Sequence, residues 1–288
     1  PYDGRFPRVR CDHDPFTAAL NTILFDHFDD IAARMLCQSQ VANRIVSEAV
    51  EYDLIVLVLV DGLSYKDVTG WIDSFPTLSI EPCLVDVPTL TRLAFPNLVG
   101  RPSVAGRLFD VGYHHRLGFT YWVREDNELT DTMFQTIIEV KKIGHFPQIL
   151  AALKEQLSGL SESKTYVQIV RTGLDGYAHG QKRSPPIAAV VEEVRQEFGQ
   201  LGALCAGLCE KANLRACIYL TADHGILWRE EFQPEVIGNA PGKSSSRWCG
   251  WRDLYQQHDS GRRFLVDGEE YYCLGFPKLR RHLRIDEQ

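Results

Sequence analysis

The sequence has no CxxC pair among its eight cysteines, no apolar run longer than the seven residues Leu54–Val60, and no excess of positive charge. Cysteines without paired spacing offer neither a disulfide framework nor a Cys-type zinc site. Thiols left free fit a reducing, cytoplasmic setting. Seven apolar residues fall far short of the roughly 20 that span a bilayer, so no membrane partner is expected. Thirty-one Lys and Arg stand against 38 Asp and Glu, and the net charge of −7 argues against broad, charge-driven nucleic-acid binding. A local basic patch is still open at Arg280, Arg281 and Arg284, although a solvated face is the plainer reading. Internal repeats and low-complexity stretches are also missing, and no signal peptide is visible. The chain begins with Pro1 rather than Met, as a fragment or excised domain would.

What is there is an ordinary globular composition, 44% hydrophobic and 24% charged over 288 residues, enough for one large domain or two small ones. Phe16 to Val50 has helical spacing, which sets residues 1–52 apart as an N-terminal helical segment. Asp53 to Val60 is a continuous Leu and β-branched run, the pattern of a strand buried on both faces of a parallel sheet. Further strands are expected at Leu78–Val87, Gly118–Val123, Tyr166–Val170, Ala216–Leu220 and Tyr271–Phe276. Helices are expected over Phe146–Leu160 and from Pro186 to about Asn213. Strands alternating with helices predict an α/β fold with a mostly parallel central sheet flanked by helices on both faces. Residues 53–288 form the expected catalytic domain. The polar, Gly-, Ser- and Trp-rich stretch 229–263 reads as a cap or insertion.

Three buried strands run into acids: Val60 into Asp61-Gly62, Val170 through Arg171–Leu174 into Asp175, and Leu220 through Thr221-Ala222 into Asp223-His224-Gly225. Ligands of an open parallel sheet bind outside the carboxyl ends of its strands, so these acids, with His179 and His224, are expected to share one crevice. A single Asp after a strand is more often a turn former or cap. Three such ends that also carry two histidines are harder to explain that way. Gathered carboxylates repel one another unless a cation joins them. Mixed imidazole and carboxylate donors favour zinc, or manganese, over calcium or magnesium. Two divalent ions would offset three carboxylates and still attract a phosphate. In the segment Pro88-Thr89-Leu90-Thr91, Thr91 falls where a helix should start, so its hydroxyl is placed beside an anion site. Taken alone, Thr89 and Thr91 are ordinary helix caps.

Asp61-Gly62 after a hydrophobic strand, Pro-Thr-x-Thr at 88–91, Asp175-Gly-Tyr-Ala-His179-Gly and Thr221-Ala-Asp223-His224-Gly225 occur in the order used by the alkaline phosphatase superfamily. Within that superfamily the chain most resembles a PglZ domain, a phosphatase-like module of bacterial anti-phage systems. The resemblance spans about residues 53–225 and adds nothing to the first fifty. It implies an alkaline phosphatase-like fold and a metal-dependent phosphohydrolase, monoesterase or diesterase, with Thr91 as nucleophile. Asp61, Thr91, Asp223 and His224 would hold the metal that activates the nucleophile. Asp175 and His179 would hold a second, whose third ligand is His258, His282 or a residue beyond Gln288. The implied substrate is a phosphate ester, a nucleotide or nucleic acid among the choices, and the implied partners are other defence proteins. The alternative is a weakly catalytic or non-catalytic module that binds a nucleotide or partner within a defence complex.

Overall fold

Leu54–Val60 is buried at every one of its seven positions, and its side chains divide by parity between two cores. Leu54, Val56, Val58 and Val60 belong to one, and Ile55, Leu57 and Leu59 to the other. A strand that alternates between two apolar cores must be covered on both faces, because successive side chains point to opposite sides of a sheet. Burying each such side chain stabilises the fold by about 1.5–3 kcal/mol.

The computed structural model describes residues 23, 26–86, 91–121, 140–143, 145–157, 164–174, 187–225, 235–240, 248–250, 261–266, 268–274 and 283–287. In chain order the elements are α1 (Phe28–Ala32), β1 (Leu36–Cys37), α2 (Gln38–Glu48), β2 (Leu54–Val60), α3 (Tyr65–Val68), β3 (Cys83–Leu84), α4 (Thr91–Val99), α5 (Val104–Phe109), β4 (His115–Tyr121) and β5 (Val140–Ile143). They continue with α6 (Phe146–Leu157), β6 (Thr165–Arg171), α7 (Ile187–Ala212), β7 (Ala216–Ala222), β8 (Glu235–Ala240), β9 (Trp248–Gly250), β10 (Gly261–Val266), β11 (Glu269–Leu274) and β12 (Leu283–Glu287). The chain divides into two compact units, one of Leu36–Trp228 and one that joins residues 1–35 to 229–288.

The larger unit is built on a five-stranded sheet in the order β5-β4-β6-β2-β7, and every neighbouring pair is parallel. Helices cover both faces. On one side α6 presents Phe146, Ile149, Leu153 and Leu157, and α7 presents Val194, Leu201, Cys205 and Cys209, each a stripe at helical spacing. Cys205 and Cys209 are therefore packing residues. On the other side α2 contributes Val41, Ala42 and Ile45, α4 Phe95 and Leu98, and α5 Val104 and Leu108. The α7 helix stops where Asn213 takes a left-handed backbone, φ 53°.

A buried cluster ties the layers together beside this core. Arg171, 2% exposed, places its Nε 2.9 Å from Glu197 Oε2, and the Tyr121 hydroxyl donates to the same oxygen at 2.8 Å. Tyr121 is thus a core residue. Burial pushes the Glu197 carboxyl above the usual glutamate range, against the lowering effect of Arg171.

Three sequence expectations need correction. Leu78–Val87 is not a strand of the central sheet: within its described part only Cys83–Leu84 pairs, with Leu36–Cys37. Pro82 supplies no N–H just before that pair, and the residues ahead of it form no ladder. Ala216–Ala222 is a strand, but all seven residues are only half-buried, because β7 has a neighbour, β2, on one side alone among the described strands. Tyr271 lies in β11, which pairs antiparallel with β10 and β9 in the smaller unit and not in the parallel sheet. That unit also holds a parallel β12–β8 pair. Among the described residues no helix is long and apolar enough to cross a membrane.

Candidate metal centre

Strand register puts two of the acids side by side. Val60 of β2 is opposite Ala222 of β7, so Asp61 and Asp223 leave adjacent strands at the same level of the sheet's carboxyl edge. Asp61 is held by its backbone N–H, which donates to Arg171 O at 2.9 Å. The chain then turns at Gly62, φ 85°, a left-handed conformation suited to glycine. This turn aims the Gly62 N–H at Asp223 Oδ1, 3.0 Å away.

Asp223 is fully buried. Burial holds its carboxyl above the usual carboxylate range, against the opposing pull of His224, a hydrogen bond from the Thr91 hydroxyl, and the backbone N–H groups of Gly62 and His224. Among the described residues Asp223 Oδ2 is buried without a hydrogen bond. His224 Nε2 lies 3.3 Å from that oxygen and 3.9 Å from Asp61 Oδ1. The other ring nitrogen, Nδ1, is 3.4 Å from the Gly225 carbonyl, the partner that leaves the Nε2 lone pair facing the acids. Gly225 itself is required for space: a Cβ there would meet Ser64 Cβ at 2.8 Å.

One donor atom from each of Asp61, Asp223 and His224 falls within 4.8 Å of the others. This set fits a divalent cation on two counts. A buried carboxylate costs several kcal/mol unless a cation offsets it, and Asp223 Oδ2 is buried with no hydrogen-bond donor among the described residues. Moreover, ligand atoms about 2.0–2.1 Å from one tetrahedral ion stand roughly 3.3 Å apart, the separation of His224 Nε2 and Asp223 Oδ2.

Thr91 is the first residue of α4, half-buried, and its hydroxyl is near enough to lower the pKa of the Asp223 carboxyl. Four of the expected site residues, Asp61, Thr91, Asp223 and His224, are therefore brought together. Asp175 and His179, the expected second metal site, lie outside the described residues, as do Thr89, His258 and His282.

Sequence reasoning missed the residue that braces this site. Gln38, 1% exposed at the start of α2, donates from Nε2 to the carbonyls of Ala222, at 3.0 Å, and Asp223. Its Oε1 accepts from Asp86 N at 3.0 Å. The Asp86 carboxylate in turn accepts from Ser39 N and from Asn97 Nδ2 of α4, both at 3.1 Å. Gln38 thus links the end of β7 to the loop leading toward α4. The only signal available was a Gln set in an otherwise apolar-periodic stretch.

No protein-family model matches the chain, and no curated protein matches it in sequence.

Proposed function

We propose that the protein is a metal-dependent phosphohydrolase, alkaline phosphatase-like in fold, that uses Thr91 as its nucleophile. The observation that best supports this reading is the convergence of donor atoms from Asp61, Asp223 and His224 within 4.8 Å of one another, with Thr91 starting α4 close enough to lower the Asp223 carboxyl's pKa. Asp61, Asp223 and His224 would hold the ion, zinc in first place and manganese in second. Bound there, it supplies positive charge to phosphoryl oxygens and favours ionisation of an adjacent hydroxyl. Asp223 would orient the Thr91 hydroxyl and take its proton. The start of α4 presents backbone N–H groups, which favour a phosphate. Thr91 Oγ1 bonds to phosphorus as the ester P–O bond breaks, and the alcohol leaves with a proton. Water then displaces Oγ1 from phosphorus, releasing inorganic phosphate and restoring the threonine hydroxyl. The resemblance to PglZ domains extends the proposal to a second ion at Asp175 and His179 and to a role in bacterial anti-phage defence.

The test is turnover of p-nitrophenyl phosphate and bis-p-nitrophenyl phosphate by the zinc- or manganese-loaded protein. Thr91→Ala should abolish turnover yet keep the metal, and Thr91→Ser should retain part of the rate. Wild-type turnover by Thr91→Ala would rule out a covalent mechanism through this residue.

A further inference from the structure

A cavity of about 630 Å³ lies along β7 within the larger unit, and one end of it is lined by His224, Gly225 and Ser64. The volume is in the range of pockets that enclose a drug-sized molecule, roughly 300–1,000 Å³, and far exceeds what a phosphate needs. Its walls are mainly apolar, with Ile218 and Leu220 from β7, Phe198 from α7, Leu63 and Trp71 from the chain after β2, and Ile80 from the segment 77–85.

The polar groups at the far end are already satisfied by one another. Arg44 is paired with both Glu48 and Glu81, and Glu48 also accepts from the Tyr219 hydroxyl at 2.7 Å. One guanidinium against two carboxylates leaves a net negative charge there, which disfavours an anion at that end, and the apolar walls would strip water from a polar occupant without replacing its hydrogen bonds. The end that meets the Asp61–Asp223–His224 cluster is the one at His224.

We propose that this cavity receives the ester group of the substrate, which makes the substrate a phosphate ester of a bulky apolar alcohol, aryl or long alkyl. The phosphoryl group sits at Asp61, Asp223 and His224, and the hydrocarbon runs from His224 along β7. This rests on the phosphohydrolase reading and adds the substrate class to it.

Non-hydrolysable n-alkylphosphonates, methyl to octyl, test it by calorimetry on the zinc-loaded protein, with zinc binding measured separately. Each buried methylene tightens binding by up to about fourfold, so octylphosphonate should bind on the order of a hundredfold or more tighter than methylphosphonate. Leu220→Trp, which fills the cavity from β7, should flatten the series and leave zinc affinity unchanged. Ile80→Trp fills it from an irregular segment and should do the same, which guards against a fold defect in the strand variant. A flat series in the wild type with zinc bound would overturn the apolar-ester proposal and leave the metal reading standing. A steep series that ignores zinc would keep the apolar cavity and overturn its link to a phosphoryl site.

Discussion

The side-chain amide of Gln38 is hydrogen-bonded to the backbone carbonyl of Asp223, 185 residues along the chain, and so sets the height at which that carboxylate leaves β7. The same amide holds Asp86 N, so one buried side chain braces both approaches to the Asp61–Asp223–His224 cluster.

Gln38→Leu should therefore weaken zinc binding without removing a ligand. Loss of an outer partner of this kind typically costs about 10–100-fold in metal affinity. The buried carbonyls left without a donor should also lower stability by about 1–3 kcal/mol. Zinc calorimetry and chemical denaturation measure the two effects. Unchanged zinc affinity in a folded Gln38→Leu protein would mean that the bracing is irrelevant to the site.

Arg171 and Glu197 should behave as a buried pair. Arg171→Met leaves Glu197 without its countercharge and should cost about 3–5 kcal/mol, whereas Arg171→Met with Glu197→Leu should recover most of that. The pH dependence has a definite sign. Glu197 already titrates above the usual glutamate range through burial, and removing Arg171 raises it further. A raised carboxyl favours the protonated folded state. The deficit of Arg171→Met should thus be largest above the folded pKa and fade as pH falls toward the ordinary glutamate range. Urea melts across that window would expose a deficit independent of pH, which this account does not allow.

The thiols of half-buried Cys83 and buried Cys205 should be slow to alkylate. Burial pushes Cys83 and Cys205 up to about 12, so at neutral pH almost none of either is thiolate. Iodoacetamide labelling of the native protein, read by mass spectrometry, should spare both at pH 7.5 and accelerate about tenfold per pH unit. Fast labelling of Cys83 at neutral pH would contradict its raised pKa.

How much of this was legible in the sequence depended on the range of the interaction. Leu54–Val60 could be recognised because a strand buried on both faces writes its environment into every residue. Asp61 and Asp223-His224 followed, since strand ends of a parallel sheet face one crevice. The half-burial of Ala216–Ala222 could not be read, because being an edge strand is a property of its neighbours and not of its own apolar run. Leu78–Val87 misled for a related reason: its alternation suits a strand, but Pro82 and the lack of a ladder partner leave only Cys83–Leu84 paired. Gln38 was hidden altogether, since its partners lie at Asp86 and at Ala222 and Asp223, and helical spacing around it says nothing about either.

The central claim is that Asp61, Asp223 and His224 bind a divalent cation, and zinc titration of the purified protein against Asp223→Ala tests it most directly. The account predicts tight zinc binding by the wild type and a loss in Asp223→Ala greater than the roughly 10–100-fold expected for an outer partner. Equal zinc affinity in the two proteins would contradict it.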